Sequence, residues 1–267
     1  MDKSLVVITG GSSGIGKALA KECALKGMDV IIGARKKAAL EKTLRYLTPL
    51  CTRGNTVNAY ELDVSKEKSI IRFIKNCVKD GREIDMLINC AGIAVCKEIE
   101  KTDSDEYSET VLVNYLGTAL TVKHALPYIK KGSASRVVNV SSMAGVMGVY
   151  GYSAYTPSKY AVVGFSEVLR NELIPYGIRV SLVLPADTDT PQLANENRTK
   201  PDITKKISGT IKPMTAEKAA QAIMKGIQGG RFLIIPGFTS KIVYTLNRIF
   251  PGLMYAYSKR VIQKHSK

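Results

Sequence analysis

Three side chains near the middle of the chain have the types and spacing for proton chemistry at a carbonyl: Ser142, Tyr155 and Lys159. In Tyr155-Thr156-Pro157-Ser158-Lys159 the phenol and the amine stand four residues apart, so on a helix they share one face, about 6 Å apart along the axis. A free phenol with a pKa of about 10 is a poor acid–base group at neutral pH. A neighbouring cation favours phenolate, and lowering the pKa by about three units takes about 4 kcal/mol. Tyr155 then becomes competent to donate a proton to a carbonyl, and Ser142, from the pair Ser141-Ser142, can hydrogen-bond the same oxygen. Tyr and Lys at this spacing are also a common surface pair on helices, so position in the fold decides between the two readings.

A second cluster has the chemistry of phosphate binding. The apolar run Leu5–Ile8 opens into Thr9-Gly10-Gly11-Ser12-Ser13-Gly14-Ile15-Gly16. Small residues there let the backbone approach a diphosphate, and free N–H groups with the positive helix end at Gly14–Gly16 stabilise its charge, which makes Gly10, Ser12, Ser13, Gly14, Ile15 and Gly16 candidate cofactor contacts. The spacing is Gly-x-x-x-Gly-x-Gly, and the alternative is a tight strand-to-helix turn with no ligand. After the second strand the chain reads Gly33-Ala34-Arg35-Lys36-Lys37, with no carboxylate to accept hydrogen bonds from a ribose 2′-hydroxyl. Arg35 and Lys36 suit a 2′-phosphate, which predicts NADP(H); otherwise they are the solvated start of a helix. Asp63-Val64 after the third strand can meet the adenine, and Asn89-Cys90-Ala91-Gly92 after the fourth places small residues beside the adenosine ribose. All lie at the carboxyl ends of strands, where open α/β sheets bind ligands.

The elements that must position these groups follow from hydrophobic patterning. Short apolar runs at Leu5–Ile8, Val30–Ile32, Val57–Leu62, Met86–Ile88, Val137–Val140, Val180–Leu184 and Phe232–Ile235 read as strands. Helical periods separate them at Ala18–Leu25, Ala38–Leu50, Lys66–Val78, Tyr107–Ile129, Ala154–Leu173 and Ala216–Gln228. This alternation predicts one doubly wound α/β domain of Rossmann type over residues 1–237, a seven-stranded parallel sheet with helices on both faces. Residues 186–213 are long for a connection and read as a substrate lid.

Composition excludes several other chemistries. With 45% hydrophobic residues the chain is not predominantly disordered. Five scattered cysteines without a CxxC, and two histidines, predict reduced thiols and no metal. No apolar run approaches the roughly 18 residues that span a bilayer, and Met1-Asp2-Lys3-Ser4 leads straight into a strand, so the expectation is a chain that begins at its own fold and stays cytoplasmic.

The net charge is +16, and no acidic residue follows Glu217 while nine cations do. Across residues 238–267, Ile242, Val243, Leu246, Ile249 and Phe250, then Leu253, Met254, Tyr257 and Val261, form apolar stripes beside Lys241, Arg248, Lys259, Arg260 and Lys264. Such a basic amphipathic tail suits an anionic membrane surface, at about 1 kcal/mol per cation. The alternative is packing on its own domain or on a second subunit. No nucleic-acid-binding module is recognisable in it, so no nucleic-acid partner is expected.

Taken together, Gly10/Gly14/Gly16, Asn89-Cys90-Ala91-Gly92, Asn114, Ser142, Tyr155 and Lys159 resemble the classical short-chain dehydrogenase/reductase family over about residues 3–236. The resemblance implies that Tyr155 is the catalytic acid/base, that Lys159 binds the nicotinamide ribose and lowers the tyrosine pKa, that Ser142 orients the carbonyl, and that Asn114 holds a water in a relay to Lys159. It implies a homodimer or homotetramer. Cys90 replaces a commoner Asn, and Pro157 is tolerable only if its helix starts just before Tyr155.

Within the family, Pro185-Ala186-Asp187-Thr188-Asp189-Thr190-Pro191 and Glu196-Asn197-Arg198-Thr199-Lys200-Pro201, followed by Ile207-Ser208, are similar to the 3-ketodihydrosphingosine reductases. That likeness implies NADPH-dependent reduction of a long-chain keto-lipid, with Pro185, Thr188 and Thr190 around the cofactor. Asp187 and Asp189 can pair with a substrate ammonium or simply cap a loop. A 3-oxoacyl or steroid/retinoid carbonyl reductase would use the same machinery, whereas a nucleotide-binding regulator would have no need of all three of Ser142, Tyr155 and Lys159.

Overall fold

The computed structural model describes residues 4–132, 134–208 and 212–265. Seven strands, β1 (Leu5–Thr9), β2 (Asp29–Ala34), β3 (Val57–Glu61), β4 (Met86–Asn89), β5 (Arg136–Val140), β6 (Arg179–Val183) and a last short one at Leu233–Ile234, form one parallel sheet. The spatial order is β3-β2-β1-β4-β5-β6 with Leu233–Ile234 at the far edge, so the winding reverses between β1 and β4. A crevice at that reversal, outside the strands' carboxyl ends, is where such sheets take ligands.

Both faces are covered, which is why the strands read as continuous apolar runs. One face carries α1 (Gly14–Leu25) and α2 (Lys37–Leu47), together with a helix over Ala216–Gln228; Leu19, Cys23 and Ile223 meet Val6 and Ile8 there. The other carries α3 (Glu67–Cys77), α4 (Ser104–Val111), α5 (Gly117–Ala125) and α6 (Tyr155–Glu172), where Phe73, Ile74 and Leu169 meet Val7 and Leu87. Phe73 is fully buried, so truncation to Ala costs about 3–5 kcal/mol.

Two stretches differ from their sequence expectation. The helix read over Tyr107–Ile129 is α4 and α5 joined by one π-turn, Leu112–Leu116, a local widening that carries Asn114 inward. Residues 186–213 are also mostly ordered elements. β7 (Thr188–Asp189) pairs in parallel with β8 (Met214–Thr215), and between them lie α7 (Pro191–Thr199) and α8 (Asp202–Ser208); positions 209–211 fall outside the described residues. Thr190 caps α7 by accepting from the Leu193 N–H at 3.2 Å, Pro191 pre-sets its first turn, and Leu193 is buried. The polar sequence of α7 hides this because only one side of it is covered.

The chain ends with α9 (Ala216–Gln228, the helix already placed on the first face), β9 (Leu233–Ile234, the edge strand), α10 (Phe238–Ile249) and α11 (Pro251–His265). The tail is therefore helical as expected, with Pro251 at the first position of α11; residues 266 and 267 lie outside the described residues.

Candidate active site

The glycine turn joins β1 to α1 at the crevice. Gly10 has φ +70° and Gly14 φ +50°, and a Cβ on Gly10 would lie 2.8 Å from the Ala91 backbone. Ser13, the residue before α1, makes no side-chain cap hydrogen bond, so no side chain competes for the leading N–H groups of α1. A turn that a side chain would fill, in front of an uncapped helix end, fits a dinucleotide diphosphate. Gly10 N–H donates to the Gly33 carbonyl at 2.8 Å, which ties this turn to the end of β2 and puts Arg35 two residues away. Arg35 and Lys36 are exposed, and among the described residues neither forms an ion pair. Ser12 is held from α2, its carbonyl accepting from Thr43 Oγ1 at 3.1 Å.

Ser142 follows β5, and its Oγ accepts from the Ala144 N–H at 3.1 Å. Ser141 donates to the Lys159 carbonyl at 2.8 Å, fixing α6 against the strand end. Tyr155 is the first residue of α6, so Pro157 falls in the first turn, where its missing N–H costs nothing. The Tyr155 ring packs on Tyr152 at 5.6 Å between centroids, and Lys159 Nζ lies 5.8 Å from the Tyr155 ring centre.

The electrostatics differ from the sequence expectation. Burial pushes the Tyr155 phenol well above its ordinary pKa; the charge on Glu196 adds to this, and a hydrogen bond with Ser142 opposes it. Burial also pulls Lys159 down, to about 8, and its ammonium donates to the Val140 carbonyl at 3.1 Å. In the protein alone, loss of solvent thus raises the phenol, in place of the lowering by Lys159 expected from the sequence.

One cavity of about 870 Å³ holds most of the predicted positions. Gly10, Ser13, Gly14, Ile15 and Gly16 line it with Ala91, Gly92, Ser142, Tyr155, Lys159, Pro185, Thr188, Thr190 and Asp187. Other predicted residues stand outside its wall. Asn89 faces Asn139 across the sheet and donates to it at 2.9 Å; it is buried in a polar ladder that continues from Asn139 to Ser166 at 3.0 Å, because the two amides share a register. Val64 is buried against Gly117, and the Asp63 carboxylate accepts from the Ser65 hydroxyl at 2.7 Å. Asp189 is exposed. Asn114 sits behind the wall, accepting from the Ile93 N–H and donating to Ser158 Oγ, each at 2.9 Å, so its amide braces the loop after β4 against α6.

The cavity also gathers residues that motif reasoning missed: Tyr152, Gln192 and Glu196, and from the tail Val243, Asn247, Met254 and Tyr257. Gln192 and Glu196 are one helical turn apart, a spacing that is visible in the sequence once α7 is known to be a helix. The tail's inner side packs on the domain, with Val243 and Tyr244 against Leu182 and Ile235 and Asn247 donating to the Val146 carbonyl at 2.9 Å. All five cysteines are free, and burial raises the thiols of Cys23, Cys77, Cys90 and Cys96.

A doubly wound sheet with this turn and this Ser, Tyr and Lys arrangement is shared with known enzymes, and the short chain dehydrogenase family matches residues 4–201. The chain belongs to that family. It is 37% identical to the 3-dehydrosphinganine reductase of Danio rerio over 229 residues, 85% of this chain and 69% of that protein. It is 36% identical to the 3-ketodihydrosphingosine reductase of Bos taurus over 232 residues, again 85% and 69%. Among solved structures, a short chain dehydrogenase/reductase from Burkholderia phymatum in complex with NAD superposes with a TM-score of 0.82 at 22% identity, covering 94% of this chain and 95% of that one. A short-chain dehydrogenase from Sphingobium yanoikuyae in complex with NADPH gives 0.77 at 25% identity, with coverage of 94% and 95%.

Proposed function

We propose that this oxidoreductase uses NADPH to reduce the ketone of 3-ketodihydrosphingosine, giving dihydrosphingosine. The observation that carries the reading is the cavity itself, which brings together Ser142, Tyr155 and Lys159, the glycine turn at Gly10 and Ser13–Gly16, and the inner side of α10 and α11 with Val243, Met254 and Tyr257. A volume of about 870 Å³ is at the upper end for ligand sites and suits a nicotinamide with a long alkyl chain. The named relatives support the same substrate.

Gly10, Ser12, Ser13, Gly14, Ile15 and Gly16 would hold the diphosphate, and Arg35 and Lys36 the 2′-phosphate. Asp63, Val64, Asn89, Ala91 and Gly92 would shape the adenosine end, Val64 and Asn89 from behind the wall. Pro185, Thr188 and Thr190 would meet the nicotinamide end. NADPH supplies the hydride that the ketone carbon accepts. Ser142 hydrogen-bonds the ketone oxygen, and Tyr155 donates the proton that completes the alcohol. Burial keeps Tyr155 protonated, the state that reduction consumes and the reverse reaction lacks. Lys159 orients the nicotinamide ribose, and Asn114 carries the water relay behind it.

Residues 1–237 are on this reading the catalytic domain and 238–267 a tail with two duties. No helix among the described residues is long and apolar enough to cross a membrane. The outer side of the tail exposes Phe238 (79%), Ile249 (61%), Phe250 (57%) and Leu253 (58%) next to Lys241, Arg248 and Lys259, which suits peripheral docking on the cytoplasmic face of an anionic membrane. Val111, Leu112 and Leu116 on the α4–α5 unit and Val168 on α6 are also exposed, and they support pairing of two copies there.

The deciding experiment follows NADPH absorbance with 3-ketodihydrosphingosine, a 3-oxoacyl thioester and a steroid ketone in parallel. Preference for the first is expected; preference for either of the others overturns the substrate.

A further inference from the structure

The cavity wall contains a carboxylate that the reduction itself does not use. Glu196, on α7, is 8% exposed and lines the same cavity as Tyr155 and Ser142. Its hydrogen-bond donors are neutral: the Tyr152 hydroxyl at 2.9 Å on Oε2 and Gln192 Nε2 at 3.2 Å on Oε1. Lys200 Nζ, 3.6 Å from Asp187 Oδ2, sits nearest the other carboxylate of this wall, and both it and the buried Lys159 reach Glu196 only as longer-range charges. Among the described residues no ammonium lies within ion-pair distance of Glu196, so its buried charge is only partly compensated and favours the arrival of a further cation.

We infer that Glu196 is the counter-charge for the substrate's ammonium and so selects a 2-amino ketone over an uncharged one. The Glu196 charge acts on the Tyr155 phenol, and Gln192, bonded to Glu196 at 3.2 Å, lines the same cavity, so carboxylate and proton donor share one neighbourhood of its wall. An amine on the carbon next to the ketone needs that adjacency: the oxygen at Tyr155 and the nitrogen at Glu196 are held by one wall. Burial pushes the Glu196 carboxyl up, and a bound ammonium favours its charged form. Asp187, already paired with Lys200, and the exposed Asp189 are less suited to the task that the sequence alone gave them.

The inference rests on the proposed substrate, and its test separates the two. The ratio of kcat/KM for 3-ketodihydrosphingosine to that for its deamino analogue, the same chain with hydrogen in place of the amine, is measured for the unmodified enzyme, Glu196→Gln and Glu196→Asp. Glu196→Gln keeps an acceptor for Tyr152, and thermal melts with NADPH fluorescence quenching report whether each variant folds. The ratio is expected to fall at least about tenfold in Glu196→Gln and to recover in part in Glu196→Asp, which keeps the charge. An amine preference that survives in the Gln variant, or that fails to recover in a folded Asp variant should Gln not fold, overturns the role of Glu196 alone. An unmodified enzyme that ignores the amine overturns the substrate and this inference together.

Discussion

Lys159 donates its ammonium to the Val140 carbonyl at 3.1 Å, so a cation is held at the buried junction of α6 and β5. In the folded chain this amine loses its proton near pH 8, pulled down by burial, against about 10.5 when unfolded. The unfolded state therefore holds the extra proton between those values, and folding stability from this group rises as pH climbs from about 8 to 10.5. Lys159→Met should abolish turnover yet raise stability at pH 7 by up to about 3 kcal/mol, the gain shrinking toward pH 10. Thermal unfolding of both proteins at pH 7 and pH 10 checks it, and a less stable Met variant at pH 7 would contradict the burial penalty.

Removing the proton donor should leave the fold in place. Tyr155→Phe keeps the ring against Tyr152 and is expected to lower kcat by about 10²–10⁴, with NADPH affinity nearly unchanged. Stopped-flow absorbance and a binding titration read the two quantities separately.

Cofactor choice should follow the end of β2. Arg35→Ser with Lys36→Ser removes both exposed cations, which is expected to raise KM for NADPH about tenfold or more and leave KM for NADH within a few-fold. Equal changes for the two cofactors would mean that neither cation meets the 2′-phosphate.

Asn89 separates an architectural role from a binding one. It donates to Asn139 at 2.9 Å inside the sheet, so Asn89→Ala should cost about 1–3 kcal/mol in chemical denaturation while NADPH binding falls little. A large loss of cofactor affinity in a stable variant would restore it to the binding surface.

How much of this was readable in advance depends on the kind of signal. The strands announced themselves because a parallel sheet covered on both faces makes Val6, Ile8 and Leu87 members of continuous apolar runs. Gly10, Ser142, Tyr155 and Lys159 were legible because each sits at a strand end or helix start that the pattern already fixed. Glu196 and Gln192 were not, since α7 is too polar to show a period and its buried side meets polar partners from elsewhere in the chain. Position at a strand's end does not say whether a side chain looks outward or across the sheet, so the turn of Asn89 toward Asn139 was not legible either.

Membrane attachment should depend on the outer side of the tail. Phe238→Ser, Ile249→Ser and Phe250→Ser together spare every tail residue that lines the cavity, and are expected to abolish co-sedimentation with phosphatidylserine vesicles. Unchanged sedimentation would assign that surface to another partner.

The last wall of the cleft is contributed by α10 and α11, downstream of every strand, so substitutions there alter the cleft without replacing Ser142, Tyr155 or Lys159. Relatives could thus diverge in the length of acyl tail they accept through changes at the chain's end alone, while the reductive chemistry is inherited intact.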